Sequence, residues 1–461
     1  MTTPNPQSID ELLTRSVDTL IDPDGRFRKK LETEPQNVVL KLGIDPTRPD
    51  LHLGHAVCLW KMRAMQDLGA RVVLIVGDFT GRIGDPTGKS KTRPELEQAE
   101  IEKNVATFLE QFGKILLTDK EHFSWIRNSD WFVNPLDVIA PDGATISVGD
   151  KSAQLPANSL LAKMAKWEET RMQPAITGGR VESVSLVNFL ATLRQLTHAR
   201  LIDRDMFQER LKAGDPLFMH EMMYPILQGL DSYVIHKVFG ACDIEFGGTD
   251  QFFNNMMGRD IMEMNNQPPQ AVMTLDILEG TDGKEKMSKS LDNYIGITDT
   301  PTDMFGKTMR IPDELILRWA TLATEMNVEE LNEKLNNPRA AKVELAKAII
   351  ARYHGGDAAE KAEEEFNRVF AGGGTGLPDD IPEVTIEEGN WNIVELVKHA
   401  GLIESKSEIR RLIEGGGVKA NGEKVASHEV EFEVAPSTSS GQTDELLIQV
   451  GKRKFAKIIA G

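Results

Sequence analysis

Short apolar runs alternate with amphipathic, helix-like segments through the first third of the chain. The runs at residues 38–44 and 71–78 are rich in β-branched residues and end in polar breaks, as buried strands do. One helix-like segment, residues 51–68, lies between them, and a second, residues 94–112, precedes a third predicted strand at residues 114–117. Strands separated by helices of this length predict an α/β fold with a doubly wound parallel sheet.

With 461 residues the chain can bury one or two sizeable cores, and we expect two or three domains. The alternation predicts a first domain over residues 1–300, interrupted at about 142–185 by an insertion in which Pro, Gly, Ser and Gln break the rhythm. Amphipathic helices predict an α-helical domain over residues 301–371. A glycine-rich linker at 372–386 then leads to a small α+β domain over 387–461.

Helix-like patterns and turn signals also predict several later elements. The predicted helices of the second half of the first domain are residues 186–198, 205–212 and 218–231. In the tail we expect two short helices, residues 393–399 and 406–414, and turns at Asn421-Gly422 and at residues 437–442.

Composition excludes several classes of protein. No stretch approaches the roughly 20 apolar residues of a membrane span, and the N-terminus lacks a basic segment followed by an apolar one. Cys58 and Cys242 are too few for a disulfide framework or a zinc ribbon, so we expect a reducing, cytoplasmic setting. The net charge of −18 argues against binding nucleic acid by bulk charge, although it allows a local basic face.

Two short motifs far apart carry groups suited to phosphate. The first, His52-Leu53-Gly54-His55, follows the first predicted strand and a polar break, so it lies where a helix begins. A helix N-terminus has unpaired N–H groups and a positive dipole end, and Gly54 would let a nucleotide approach the backbone. We expect His52 and His55 to share one helical face and to donate to phosphate oxygens.

The second motif, Lys286-Met287-Ser288-Lys289-Ser290, follows a glycine-containing loop. Its lysines and serines offer positive charge and hydroxyl donors, and Gly280 and Gly283 would let the loop open and close. Alone, a histidine pair or a lysine–serine pentapeptide is usually an ordinary surface feature. Together in one chain, the two motifs predict a nucleoside triphosphate site.

In this order the two motifs resemble the paired nucleotide-binding motifs of class I aminoacyl-tRNA synthetases. Four further segments resemble bacterial tyrosyl-tRNA synthetases, in the subgroup with an intact second motif and a C-terminal S4 domain: residues 41–47, 81–89, 224–231 and 247–251. The resemblance implies a Rossmann-like catalytic domain, an α-helical anticodon-side domain and an S4-like RNA-binding domain. It leaves the insertion unmatched.

The resemblance implies a tyrosine–tRNA ligase, which joins L-tyrosine and ATP to tyrosyl-adenylate and pyrophosphate and then transfers tyrosyl to the 3′-terminal adenosine of tRNA(Tyr). Such chemistry needs in-line positioning and charge stabilisation rather than an enzyme nucleophile. The residues expected to act in catalysis, as a phosphate clamp, are His52, His55, Lys286 and Lys289. The expected ATP-binding residues are these four with Asp45, Thr47, Gly54, Gly248, Asp250, Met287, Ser288 and Ser290, and Asp250 is the expected partner of the ribose.

Substrate selection is expected on one helical face. Tyr224, Gln228 and Asp231 recur at i, i+4 and i+7 and so lie on the same side of a helix. The resemblance implies that Asp85 holds the ammonium of tyrosine, together with Tyr224 and Gln228, and that Asp231 holds its phenol. Such a site can reject phenylalanine, because the unmatched polar group would stay buried. The expected tyrosine-binding residues are Gly43, Asp85, Tyr224, Gln228, Asp231 and Gln251.

One position departs from the pattern. Many tyrosyl enzymes carry a tyrosine two residues before the glycine of the first segment, where it gives the phenol a second partner. Lys41 stands at that position here, with Leu42 beside it. We therefore expect phenol recognition to depend more on Asp231 and to involve a second partner that the sequence does not identify.

The tail resembles the S4 RNA-binding module in its helix at residues 406–413 and the turn at residues 417–422. The resemblance implies that Lys406, Arg410 and Lys419 contact RNA phosphates, which position RNA rather than read its bases. The family usually forms homodimers, and Mg²⁺ is expected to arrive with ATP, since no carboxylate cluster resembles a dedicated metal site. No prosthetic group is expected.

Two other interpretations stay open at this point. A tryptophan-specific enzyme is disfavoured by Gln228 and Asp231. A catalytically silent paralogue that binds or splices RNA is disfavoured by intact residues that such a protein would not need: His52, His55, Lys286, Lys289 and Asp250.

Overall fold

The computed structural model describes residues 9–46, 50–86, 98–132, 145–148, 151–154, 184, 186–202, 204–370, 381–434, 446–451 and 454–460. Thr47, most of the predicted insertion and most of the predicted linker lie outside these residues, as does the predicted turn at 437–442. The chain divides into two compact units, Met1–Ala359 and Glu360–Gly461. The predicted domain boundaries at residues 300 and 371 stay predictions.

The first unit is built on a six-stranded sheet. Its strands are β1 (Val17–Ile21), β2 (Val39–Ile44), β3 (Arg71–Val76), β4 (Phe123–Arg127), β7 (Ile244–Gly248) and β8 (Ala271–Leu275), and β5 (Thr145–Val148) and β6 (Lys151–Gln154) form a separate hairpin. The order across the sheet is β1-β8-β7-β2-β3-β4. Neighbours are parallel except β1, which runs antiparallel to β8.

Helices connect these strands and extend beyond them. Among the described residues of the first unit they are α1 (Ile9–Thr14), α2 (Arg26–Thr33), α3 (Leu53–Gln66), α4 (Thr80–Ile83), α5 (Gln98–Phe112), α6 (Ser129–Phe132), α7 (Leu186–Leu193), α8 (His198–Ile202), α9 (Asp205–Ala213), α10 (Met219–Phe239), α11 (Phe252–Met264), α12 (Pro301–Thr308), α13 (Ile316–Ala323), α14 (Val328–Glu333) and α15 (Pro338–His354), and α16 (Gly356–Phe370) spans the division between the units.

The strand predicted at residues 114–117 is wrong. Ile115 and Leu116 are buried, as their apolar character suggests, but side chains of α3 satisfy the backbone of this segment in place of a neighbouring strand. Arg63 donates to the Ile115 carbonyl at 2.9 Å, and the Gln66 amide exchanges hydrogen bonds of 3.0 and 2.9 Å with the backbone of Leu117. The edge strand forms instead at β4, after a turn.

Strand β2 marks the point where the order of the sheet reverses. Its neighbours β7 and β3 lead away in opposite directions, and ligands of such sheets bind beyond the carboxyl ends of the strands at this point. The residues that follow the strands there are Asp45 after β2, Gly77 and Asp78 after β3, and Thr249 and Asp250 after β7. The sheet therefore brings together segments that are 200 residues apart in sequence.

The second unit has its own sheet and core. Five strands lie in the order β12 (Glu423–Lys424), β11 (Val418–Ala420), β14 (Leu446–Val450), β15 (Lys454–Ala460) and β9 (Glu383–Ile386), and two more, β10 (Gly389–Asn392) and β13 (Glu431–Val434), pair antiparallel. A buried apolar cluster that includes Ile393, Leu396, Ile409, Val418 and Ile448 fills its centre. The elements are β9 (Glu383–Ile386), β10 (Gly389–Asn392), α17 (Ile393–His399), α18 (Lys406–Glu414), β11 (Val418–Ala420), β12 (Glu423–Lys424), β13 (Glu431–Val434), β14 (Leu446–Val450) and β15 (Lys454–Ala460).

The two short helices of the tail, α17 and α18, lie where the sequence pattern places them. The predicted turn at Asn421-Gly422 is also present, and both of its residues have positive φ. Among the described residues, no helix combines the length and the apolar character that crossing a membrane requires.

Helices α10 and α11 pack closely, and Gly258 of α11 leaves room for polar side chains beneath α10. A Cβ at Gly258 would lie 2.6 Å from Ser232 Oγ, 2.6 Å from Gln270 Nε2 and 3.0 Å from Glu245 Oε2. All three side chains are fully buried, so none can move away into solvent. A side chain at this position would disrupt the polar cluster below α10.

We predict that Gly258→Ala lowers the free energy of unfolding by about 1–3 kcal/mol, the usual cost of overpacking. Gly306 of α12 is the matched control, because a Cβ there meets nothing within 4 Å. Gly306→Ala should therefore raise stability by about 0.5–1 kcal/mol, since alanine favours a helix over glycine. Urea denaturation of both variants makes the comparison, and an equal gain in both would contradict the packing described for Gly258.

Candidate functional site

The segment after the second motif pairs with the start of α3 through the backbone. Leu53 N donates to the Ile295 carbonyl at 2.9 Å, and Ile297 N donates to the Leu51 carbonyl at 3.1 Å. Gly54 also lies close to the second motif, since a Cβ added there would be 3.6 Å from the Cβ of Met287. The structure thus places the two predicted phosphate motifs next to each other.

The two histidines lie together, although not on one helical face as the sequence predicts. Helix α3 begins at Leu53, and His52 is the extended residue before it, with φ −126°. The pairing of Leu51 with Ile297 keeps the backbone extended up to this point. The rings are still adjacent, with centroids 3.8 Å apart and planes tilted by 33°, and His52 N donates to His55 Nδ1 at 3.2 Å. The proton of neutral His55 is therefore on Nε2.

Both histidines are neutral at physiological pH. Burial lowers the pKa of His52 to about 2, and neighbouring His55, Lys289 and Lys286 act in the same direction. Burial likewise lowers the pKa of His55 to about 4, again helped by the two lysines. The histidines can therefore donate hydrogen bonds to a phosphate, whereas positive charge must come from Lys286 and Lys289.

Each lysine of the second motif is paired with a carboxylate. Lys286 Nζ lies 2.9 Å from Oδ2 of Asp250, with both side chains partly exposed. Lys289, which is nearly buried, contacts the carbonyl of Asp50 and lies 3.3 Å from its carboxylate. Lys286, which is predicted to bind phosphate, is therefore bound to Asp250, which is predicted to bind ribose.

Three of the remaining predicted ATP residues have the following positions. Met287 is buried, Ser288 N donates to Asn293 Oδ1 at 2.8 Å, and Gly248 is the last residue of β7. The side chain of Ser290 lies outside the described residues, as does Thr47.

One hydrogen bond joins a predicted tyrosine-binding residue to a predicted ATP-binding residue, and a second joins two of the predicted tyrosine-binding residues. Tyr224 Oη donates to Oδ2 of Asp45 at 2.9 Å, and Gln251 Nε2 donates to Oδ2 of Asp85 at 2.7 Å. Burial raises the pKa of Tyr224 well above its ordinary value, and Asp45 and Asp85 add to the shift, so its hydroxyl stays protonated. Gly43, also predicted here, lies in β2 one residue before its end.

Asp231 is a buried carboxyl group held by two donors that the sequence does not identify. Trp131 Nε1 donates to Asp231 Oδ1 at 3.0 Å, and the side chain of Asn128 donates as well. Burial raises the pKa of Asp231 to about 8, although Lys41, Trp131 and Asn128 act to lower it. Both new partners follow β4, the strand that the sequence pattern misplaces. The usable signal was Trp131 itself, since a buried indole N–H needs an acceptor.

Asn128 also links Asp231 to Asp45. Its Nδ2 lies 2.8 Å from Thr80 Oγ1, which in turn donates to Asp45 Oδ1 at 2.9 Å. The side-chain oxygen Oδ1 of Asn128 accepts from Phe79 N at 3.0 Å, and this bond fixes the orientation of the side-chain amide. A continuous polar chain therefore joins the predicted phenol end of the site to the end of β2.

Arg204 is a further charged residue near the site that the sequence reading missed. Its guanidinium lies over Phe207 and Phe253, 5.3 and 5.4 Å from the ring centroids. Burial lowers the pKa of Arg204, whereas the charges of Asp85 and Asp250 act to raise it. Arg204 therefore lies within electrostatic reach of carboxylates from both halves of the site.

The predicted RNA-binding residues lie in the second unit. Lys406 and Arg410 are exposed, one helical turn apart on α18, and Lys406 forms an ion pair with Glu395. Lys419 is half-buried on β11, opposite Lys424 of β12.

Within the part of the chain that the structure describes, one group of three potential metal ligands lies close enough to bind an ion: Asp119, Glu121 and His122. These residues lie in the loop before β4, away from both motifs in sequence. His122 Nδ1 is already 2.9 Å from both carboxylate oxygens of Asp119, and such exposed groups are common without an ion. We assign no function to this group.

Family models match nearly the whole chain. Residues 33–139 and 152–371 match a model described as tRNA synthetases class I (W and Y), and residues 375–458 match one described as the tyrosine--tRNA ligase SYY-like C-terminal domain. Similar proteins include the tyrosine--tRNA ligase of Bdellovibrio bacteriovorus, 38% identical over 98% of this chain and 98% of that protein. That of Salinibacter ruber is 40% identical over 98% of this chain and 97% of that protein.

Solved structures share the fold. The C-terminally truncated mitochondrial tyrosyl-tRNA synthetase of Aspergillus nidulans matches with a TM-score of 0.55 at 19% identity, over 78% of this chain and 94% of that one. The tyrosyl-tRNA synthetase of Archaeoglobus fulgidus, complexed with L-tyrosine, matches with a TM-score of 0.51 at 19% identity, over 77% of this chain and 97% of that one. The predicted fold class is confirmed.

The raised pKa of Asp231 predicts a pH-dependent stability. A folded-state pKa of about 8, above the ordinary value of 3.8, means that the folded protein binds this proton more tightly than the unfolded chain does. The contribution is therefore fully present below pH 3.8 and is lost as pH rises through 8. Asp231→Asn stays neutral at every pH, so its melting temperature should exceed that of the wild type increasingly between pH 5 and pH 8.5.

Asp282→Asn is the control, because the pKa of Asp282 is shifted in the opposite direction to that of Asp231. Hydrogen bonds from the backbone of Lys284 and from Asn293 lower the pKa of Asp282, so its carboxylate contributes stability above the ordinary pKa. Removing that charge should lower the melting temperature near neutral pH. A constant difference between Asp231→Asn and the wild type over the whole pH range would contradict the burial of an ionisable group at this position.

Proposed function

Since the chain belongs to the class I tRNA synthetases, among the tyrosine--tRNA ligases, we propose that it activates L-tyrosine with ATP and transfers the tyrosyl group to the 3′-terminal adenosine of tRNA(Tyr). The observation that carries the proposal is the backbone pairing of the first phosphate motif with the segment that follows the second. A hydrogen bond from Tyr224 of α10 to Asp45 joins that helix to the residue that follows β2. The near-complete coverage of tyrosine--tRNA ligases by this chain supports the choice of amino acid.

The nucleotide half of the site supplies donors and charge. Neutral His52 and His55 would donate N–H groups to the phosphates, and Lys286 and Lys289 would offset the negative charge that grows as pyrophosphate leaves. Asp250 would accept the ribose hydroxyls. Because Asp250 and Lys286 are bound to each other at 2.9 Å, binding ATP exchanges this partly exposed ion pair for contacts with ribose and phosphate.

The amino-acid half of the site would read both ends of tyrosine. Asp85 would accept the substrate ammonium, with Tyr224 and Gln228 around it, and Gln251 would lie near the substrate carboxylate. Asp231 would accept the phenol, and the donors Trp131 and Asn128 hold its carboxyl group in place. Phenylalanine would leave this buried carboxyl group without its partner, which is the physical basis for rejecting it.

We expect Mg²⁺ to enter with ATP. A magnesium ion commonly keeps several waters and binds through substrate phosphates rather than through a protein cage. In the described residues, the single group of three close metal-ligating side chains, Asp119, Glu121 and His122, is not among those assigned to ATP. Activation should therefore require Mg²⁺ in proportion to ATP.

We also propose that the protein is a homodimer. Leu211, Phe218 and Met219 are large apolar side chains close in sequence, and each is roughly half exposed or more. Grouped exposed apolar residues often mark an interface. Sedimentation equilibrium should give about twice the chain mass of 51.2 kDa, and a single-chain mass at micromolar concentration would contradict this proposal.

The reaction is tested by ATP–pyrophosphate exchange with each of the twenty amino acids. Tyrosine alone should support rapid exchange, because only its phenol matches Asp231. Exchange with tryptophan would favour the sister specificity, and exchange with none would favour a protein that only binds RNA. Either result would overturn the proposed function.

The tail is tested by a chain that ends at residue 371. We propose that Lys406, Arg410 and Lys419 contact tRNA phosphates, whereas every residue assigned to ATP or tyrosine lies before residue 291. The shortened protein should therefore keep tyrosine-dependent exchange and lose most tRNA charging, and tRNA affinity of the full chain should fall steeply with salt. Equal charging by both proteins would show that the tail is not the RNA-binding module.

A further inference from the structure

Lys41 is a lysine with no exposed side-chain surface in the centre of the main sheet. It lies in β2, in register with Glu245 of the neighbouring strand β7, and its Nζ is 2.9 Å from Glu245 Oε1. Glu245 is equally buried, with 1% of its side chain exposed. Burying either charge alone would cost several kcal/mol, so each depends on the other and on further hydrogen bonds.

The Lys41 ammonium donates to three acceptors, and two of them belong to α10. Besides Glu245, it contacts Ser232 Oγ at 2.6 Å and the backbone carbonyl of Gln228 at 3.0 Å. An ammonium group has three donors, so all are used. Gln228 and Ser232 lie on either side of Asp231 along the helix, and the ammonium thus holds α10 at the two turns that carry the proposed tyrosine-binding face.

Glu245 extends the same network to the side chain of Gln228. Gln228 Nε2 donates to Glu245 Oε1 at 3.1 Å and to Asn255 Oδ1 at 3.0 Å, and Ser232 Oγ donates to Glu245 Oε2 at 3.2 Å. Gln270 Nε2 also donates to Glu245 Oε2. The ion pair therefore fixes both the backbone and the side-chain amide of Gln228.

Stability alone does not account for this arrangement. A buried ion pair rarely stabilises a fold more than well-packed apolar residues of the same volume. Its distinctive effects are on geometry and on charge. The Lys41 ammonium acts on Asp231 as well, where it opposes the effect of burial and favours the carboxylate.

We propose that Lys41, through its ion pair with Glu245 and its contacts to Gln228 and Ser232, is a positioning residue that aligns Gln228 and Asp231 for tyrosine and sets the preference for tyrosine over phenylalanine. This inference rests on the proposed function and deepens it. Lys41 does not itself touch the substrate. It acts indirectly, through α10, which carries the side chains proposed to bind tyrosine.

The test uses the full-length protein with two substitutions made together, Lys41→Met and Glu245→Gln, so that no lone charge stays buried. The Michaelis constant for tyrosine in the exchange reaction should rise about tenfold, with kcat and the Michaelis constant for ATP changed by less than about twofold. The ratio of kcat/KM for tyrosine to that for phenylalanine should fall by about tenfold.

Ser232→Ala is the milder variant. It keeps the ion pair and removes one acceptor of the Lys41 ammonium, so the same changes should follow in the same direction but to a smaller degree. Lys30→Met is the matched control, because Lys30 Nζ forms a 2.8 Å ion pair with Asp243, immediately before β7, and contacts none of the residues assigned to tyrosine. It should leave both kinetic ratios unchanged.

An unaltered tyrosine Michaelis constant and an unaltered selectivity ratio in the folded double variant would reduce Lys41 to a purely structural role. If the double variant does not melt cooperatively, Ser232→Ala decides, and unchanged values there would overturn the proposal. A wild-type protein without tyrosine-dependent exchange would instead refute the proposed function. That outcome is seen before any variant is made.

Discussion

The nucleotide site depends on one short stretch of backbone pairing. Leu51 and Leu53, on either side of His52, exchange hydrogen bonds with Ile297 and Ile295, and these bonds join the start of α3 to the segment after the second motif. The two lysines follow the histidines by more than 200 residues in sequence, and this pairing holds their segment beside the start of α3. With it, both lysines lie close enough to the two histidines for their charges to lower the histidine pKa values.

Burial then decides what each group at the site can do. It removes the charge from both histidines, so donors and charges come from different residues. It also raises the pKa of Asp231, and three neighbours, Lys41, Trp131 and Asn128, oppose that shift. The polar chain from Asp231 through Asn128 and Thr80 to Asp45 connects the amino-acid half of the site to the nucleotide half.

Local patterns predicted the parts of the fold and of the site that depend on neighbours in sequence. The spacing of Tyr224, Gln228 and Asp231 placed them on one helical face, and the breaks around His52 predicted a helix from residue 51, two residues before the observed start of α3. Partners across the sheet were beyond such patterns. Residues 114–117 resemble a strand in sequence because they are mostly apolar. In the structure, the side chains of Arg63 and Gln66 bind the backbone carbonyls of this segment in place of a neighbouring strand. Because the sequence pattern put this strand in the wrong place, it did not identify Trp131 and Asn128 as partners of Asp231. Nothing near Lys41 in sequence points to Glu245.

The central claim is that the two motifs act as one clamp on the phosphates. The most direct measurement is the single-turnover rate of tyrosyl-adenylate formation, at saturating ATP, in the wild type, His55→Ala, Lys289→Ala and the double variant. Each single change should slow the step by about a hundredfold with tyrosine affinity preserved, and the double variant should lose less than the product of the two. An unchanged rate in either single variant, or fully independent effects, would contradict a shared clamp.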